Sequence, residues 1–190
     1  VSIMRQFKYS KKDPALAIDL CIFLNGLPIA TIELKNALTG QTHENAIKQY
    51  MQDRKTKGEK SLEFKRILVH FACGTEQVYM TTKLDGESTF FLPFNMGAGE
   101  GINQGAGNPI FEDKYSVSYM WEDILCKDTL IEIISKFMFI EVKEKKDQLT
   151  DKVARSETVI FPVEGDNAYI VFSLNRQNPL FYVLRSNNFK

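Results

Sequence analysis

Apolar and polar positions divide the first half of the chain into blocks short enough for strands. Residues 1–9 predict a strand, and Ser10 to Pro14 a turn with basic flanks. Residues 16–24 (LAIDLCIFL) are apolar throughout except Asp19, the pattern of a strand buried on both faces. Asn25-Gly26-Leu27-Pro28 signals a turn, and residues 29–35 (IATIELK) a second strand. After a polar loop at 36–43, Ala46, Ile47, Tyr50 and Met51 make an apolar stripe that predicts a helix over 44–55, with Thr42 as its N-cap. Further strands are predicted at 65–73, 77–84 and 90–94. Residues 97–107 (GAGEGINQGAG) predict a mobile surface loop. Two short helices follow at 119–126 and 128–139, the second capped by Asp128. The charged run 141–147 predicts a solvated linker, while 158–162 and 168–174 are strand-like without a place in the order. Strands with interleaved helices predict an α/β fold with a central mixed β-sheet flanked by helices, since the Asn25-Gly26 turn makes one pair antiparallel.

Composition narrows the classes. The 190 residues fit one domain with a short appendage, at the usual domain size of ~100–200 residues. Apolar residues at 44% and charged residues at 25% predict a packed core. Lys plus Arg and Asp plus Glu each number 24, so the formal net charge is 0. That excludes a polybasic binder, whose affinity needs a global cationic field, but not a nuclease, which mixes a basic track with an acidic metal site. Cys21, Cys73 and Cys126 are far apart without a CxxC, and His43 and His70 stand alone. Neither a disulfide scaffold nor a zinc site is expected, and a reducing, cytoplasmic compartment fits. No apolar run approaches the ~18 residues of a membrane span. The start at Val1 runs at once into a strand, so the chain is expected to be a piece of something longer.

The glycine-rich segment has no GxxxxGK or GxGxxG spacing, which argues against a phosphate loop. His70 lies in an apolar strand and is expected to be a core or strand-edge residue. The stronger feature is Asp19 with Glu33-Leu34-Lys35. The chain has five Glu-x-Lys triplets, and only Glu33/Lys35 lies inside an apolar strand. Period-2 geometry puts Glu33 and Lys35 on one face. With a three-residue turn, Asn25 to Leu27, Asp19 falls opposite Glu33. Two carboxylates and an ammonium then converge, too costly to bury unpaired. One explanation is a structural ion triad. The other is metal-dependent phosphodiester hydrolysis, with Asp19, Glu33 and the Leu34 carbonyl as oxygen ligands for Mg²⁺ and Lys35 acting on the attacking water and the phosphate. The nearby 48–66 segment holds seven Lys/Arg against three Asp/Glu. Lys48, Arg54 and Lys55 are therefore candidates for a DNA phosphate track, the alternative being a solvated helix face and loop.

These residues match the PD-(D/E)xK nuclease pattern, with Ile18-Asp19 where that family often has Pro-Asp. More closely, 19–36 (DLCIFLNGLPIATIELKN) resembles the N-terminal nuclease domain of the restriction (R) subunit of type I restriction-modification enzymes. So do 44–50 (ENAIKQY), 90–95 (FFLPFN), Gly107-Asn108-Pro109 and 119–128 (YMWEDILCKD). The likeness spans about residues 1–139. It implies a PD-(D/E)xK restriction-endonuclease-like fold, with a nuclease domain at 1–142 and a charged linker and tail at 143–190. It further implies a Mg²⁺-dependent endonuclease acting on double-stranded DNA, with modification and specificity subunits as partners and ATP needed only by the full-length subunit's motor. By this likeness Asp19 and Glu33 are metal ligands and Lys35 is catalytic. Gln49 matches the Gln of a Gln-x-x-x-Tyr motif, but the Tyr position holds Asp53. In relatives a leading helix, often bearing an acidic residue near the metal, precedes the first strand, and the sequence is expected to start after it. Residues 159–162 look like the start of the motor region, and no Walker motif follows. The alternatives are a non-catalytic DNA-binding or assembly module, and a free-standing PD-(D/E)xK repair nuclease.

Overall fold

The computed structural model describes residues 1–98 and 107–137, and beyond them the strand segments 140–146, 153–163, 168–171 and 182–185. The chain divides into two compact units, Val1–Tyr119 and Met120–Lys190.

The first unit is built on a six-stranded sheet whose spatial order follows the chain: β1 (Ser2–Lys8), β2 (Ala17–Leu24), β3 (Leu27–Leu34), β4 (Val69–Cys73), β5 (Val78–Thr81) and β6 (Leu92–Pro93). All neighbours are antiparallel except β3 and β4, which are parallel. The sheet is therefore mixed, as the sequence predicts. A parallel pair needs a crossover, and α1 (His43–Gln52) supplies it. Its start is where the sequence puts it. Thr42 Oγ1 accepts from the Glu44 N–H, and Asn45 Oδ1 accepts from the Thr42 N–H, closing a capping box. Its end comes three residues before the expected residue 55. The Asp53 and Arg54 N–H groups both donate to the Gln49 carbonyl, at 2.9 and 3.2 Å, and the chain leaves the helix there. Ala46 and Tyr50 pack with Tyr9, Ile18, Leu62, Ile67, Ala72 and Leu84 in one apolar cluster.

The expected strand at 65–73 begins only at Val69, because the chain first turns, with the Arg66 N–H donating to the Glu63 carbonyl and Lys65 in left-handed backbone with φ 73°. Of the expected loop at 97–107, residues 99–106 lie outside the described residues. Its neck is closed by the Gly97 N–H donating to the Gly107 carbonyl at 2.8 Å. Asn108 clamps the same place. Its Oδ1 accepts from the Met96 N–H, and its Nδ2 donates to Asn95 Oδ1 and the Glu76 carbonyl.

In the second unit a π-helical turn at Met120–Ile124 leads into α2 (Lys127–Glu132) and a further π-helical turn at Ile133–Phe137. Residues 138–139 of the expected second helix lie outside the described residues. Cys126, not Asp128, is the N-cap of α2, and Asp128 lies in the first turn, where its charge meets the positive end of the helix dipole. The charged run is corrected from linker to strand. β7 (Ile140–Lys146) pairs antiparallel with β8 (Val153–Val163), followed by β9 (Ala168–Val171) and β10 (Tyr182–Arg185). A ladder partner satisfies backbone groups whatever the side chains are, and the register sets Glu144 opposite Arg155.

Candidate functional site

The site begins at the β2–β3 hairpin. Asn25 and Gly26 both have positive φ, 49° and 82°, and form a tight two-residue turn closed by Leu24 and Leu27. A two-residue turn alone would put Asp19 out of step with Glu33. Between Ile22 and Phe23 the pairing shifts by one, because Ile29 is an extra residue in β3. Beyond the bulge Leu20 pairs with Ile32. The register expected from a three-residue turn is thus restored by a two-residue turn plus a bulge. Asp19 itself departs from the ladder. Its Oδ2 accepts the Leu34 N–H at 2.8 Å, and its Oδ1 accepts from Gln6 Nε2 at 3.3 Å. Gln6 has a left-handed φ of 51° in the facing strand.

Glu33 is fully buried, and so is the group it meets. Arg54 Nε donates to Glu33 Oε1 at 2.6 Å, with Arg54 only 7% exposed. The Arg54 guanidinium lies 5.8 Å from the Tyr9 ring centroid, and the Tyr9 hydroxyl donates to the Asp53 carbonyl at 3.5 Å. Arg54 is therefore corrected from a solvent-facing DNA contact to the buried partner of Glu33. Lys48 and Lys55 are exposed, while Lys35 and Gln49 are half-buried. The Lys35 N–H donates to the Cys73 carbonyl at 2.8 Å, so the β3–β4 ladder continues one residue past the strand end. The structure thus brings Asp19, Glu33 and Leu34 together and adds Arg54. Position 53, which would hold Tyr in the Gln-x-x-x-Tyr motif, is the exposed C-cap of α1.

A second polar group lies nearby on β3 and β4. Thr31 Oγ1 bonds the Tyr50 hydroxyl at 2.9 Å and His70 Nδ1 at 2.6 Å, all three buried. Burial pushes the His70 pKa down to about 3, so the ring is neutral in the core, as its apolar strand predicts. Burial, together with the charge of Glu33, holds the Tyr50 pKa well above 10. Nothing in the sequence marks Tyr9, Thr31 or Arg54 as part of this layer.

Burial raises the Glu33 pKa to about 7, with Arg54 opposing and the neighbouring Asp19 carboxyl adding to the rise. Burial works against the Arg54 charge too, but the bond to Glu33 outweighs it and holds Arg54 above its ordinary value. The pair favours a charged Arg54 more than a charged Glu33, because at Glu33 burial outweighs the pull of Arg54 and the Asp19 carboxyl adds to it. A contact between two carboxyls is a hydrogen bond only while one of them carries a proton. Glu33 Oε2 and Gln49 Oε1 are buried oxygens with no hydrogen-bond partner. Among the described residues no group of three or more His, Cys, Asp or Glu is placed to hold a metal. The Asp19 and Glu33 carboxylates offer oxygen donors of the kind a hard divalent cation takes.

The pKa shift sets a stability profile. Folded Glu33 binds its proton more tightly than an unfolded Glu with a pKa of about 4.3. Its contribution is present in full below about pH 4.3 and is lost as pH rises through about 7. In chelator-containing buffer, the stability of the wild type minus that of Glu33→Gln should fall from pH 4.5 to pH 8. Urea titrations across that range check it, and a difference that grows with pH would show Glu33 to be an ordinary ionised salt-bridge partner.

A mixed sheet with one parallel crossover, and a half-buried Asp19 beside a buried Glu33–Arg54 pair where its third strand ends, defines an α/β domain with a polar group inside it. Residues 1–89 match the family described as type I restriction enzyme R protein N terminus. That segment, somewhat under half of the chain, holds every residue of the site. No curated protein and no solved structure matches the chain. No helix among the described residues is long and apolar enough to cross a membrane.

Proposed function

We propose that this region is the nuclease part of a type I restriction enzyme R subunit, with a PD-(D/E)xK-like site that hydrolyses phosphodiester bonds of duplex DNA with Mg²⁺. The observation that carries the reading is Glu33 Oε2, a buried oxygen that accepts from no donor and has the Asp19 carboxyl as its neighbour. Asp19 and Glu33 would hold the cation, with Gln49 Oε1 and the Leu34 carbonyl as further oxygen donors. Bound there, it would supply charge stabilisation at a phosphate and a lowered pKa for water. Lys35 follows Glu33 by two residues on the same strand path, and its ammonium stabilises the charge that builds on the phosphate. Asp19 keeps its carboxylate in place through the Leu34 N–H. Lys48 and Lys55, both exposed, contact the DNA backbone. The family match supports association with the other subunits of such an enzyme in the cytoplasm.

Calorimetry with Mn²⁺ or Mg²⁺ on the whole chain tests the reading. Wild type should bind one divalent ion, and Asp19→Asn should bind it at least tenfold more weakly. Equal binding by the two proteins would remove the catalytic assignment and favour the non-catalytic assembly module.

A further inference from the structure

We propose that Arg54 is a positioning residue of the cation site, holding one oxygen of Glu33 so that the other stays available. The inference rests on the cation reading above and adds a residue to it. A guanidinium facing a carboxylate ordinarily takes both oxygens through its fork of donors. Here only Oε1 is taken, by Nε at 2.6 Å, while Oε2 is equally buried and accepts from nothing. An ion pair serving stability alone would leave no such acceptor, since a buried oxygen without a donor is costly.

The surroundings of Arg54 hold it in this one-sided pose. The Tyr9 ring lies 5.8 Å from the guanidinium carbon. The Tyr9 hydroxyl reaches the Asp53 carbonyl, so the ring is tied to the residue before Arg54. The Arg54 N–H shares the Gln49 carbonyl with the Asp53 N–H. One turn of backbone therefore sets both Arg54 and Gln49, whose Oε1 is the other buried oxygen without a partner.

Mn²⁺ affinity of the folded whole chain tests this, by calorimetry and by the spin-resonance signal of free Mn²⁺. Arg54→Gln removes charge and fork and should weaken binding at least tenfold. Arg54→Lys keeps a charge without the Nε geometry and should fall between the two. Tyr9→Leu leaves Arg54 and Glu33 in place but unsupported, and should weaken binding about threefold even if Arg54→Gln fails to fold. A merely structural Arg54 would lower the melting temperature of its variants without moving Mn²⁺ affinity. Affinity equal to or tighter than wild type in the folded variants would overturn the proposal and leave the cation site standing. Absence of Mn²⁺ binding by the wild type would overturn both.

Discussion

Replacing Glu33 with alanine is expected to lower the unfolding free energy by about 3–5 kcal/mol, the usual cost of stranding one member of a buried ion pair. Arg54 is only 7% exposed, and in that variant its guanidinium would keep a cation in the interior with the Tyr9 ring as its remaining neighbour. Glu33 lies on a central strand between β2 and β4, so neither backbone nor solvent can move in to replace its carboxylate. The pair is not itself the source of that stability. Replacing both members, as Glu33→Leu with Arg54→Met, should recover most of the loss, because apolar side chains of similar volume need no partner. Urea unfolding of the two single variants and the double variant measures the coupling. A double variant as unstable as the sum of the singles would mean that the two side chains act independently.

Lys35→Ala is expected to reduce DNA cleavage by the assembled enzyme about 10²–10³-fold, the typical cost of one lost electrostatic contact to a transition state. DNA binding and ATP hydrolysis should remain close to wild type, because in the proposed function Lys35 acts on the chemical step and not on binding. The half-buried position of Lys35, at the end of the β3–β4 ladder, limits its loss to a small effect on stability. Cleavage of a circular plasmid, followed beside ATPase rate and DNA affinity, separates these effects. Retained cleavage would reduce Lys35 to a solvated neighbour of the ion pair. A parallel loss of DNA binding would place it in the phosphate track instead.

Much of the first unit was legible because its elements are set by local pattern. The Thr42 cap, the stripe through Ala46 and Tyr50, and the Asn25-Gly26 turn each depend on a few adjacent residues, and each appears where the sequence puts it. Asp19 and Glu33 stand out as charges in apolar strands, a local signal with a global meaning. The register between them was right for a different reason. Turn length can be guessed from sequence, but the bulge at Ile29 depends on how β3 fits its neighbours on both sides. The charged run misled because polarity predicts solvation, whereas the strand partner that 140–146 finds in 153–159 is invisible to composition.

By itself the sequence determined which residues carry unusual charge for their surroundings, and hence that Asp19, Glu33 and Lys35 needed an explanation. Only the tertiary structure decided what Arg54 does. In the sequence it is one of seven basic residues in a stretch that looks solvated. In the fold, the crossover from β3 through α1 to β4 returns the chain beside Glu33, and the end of α1 turns Arg54 inward beneath Tyr9. A side chain's partner is set by a contact 21 residues away, and its energy by a burial that exists only once the sheet and helix have closed over it.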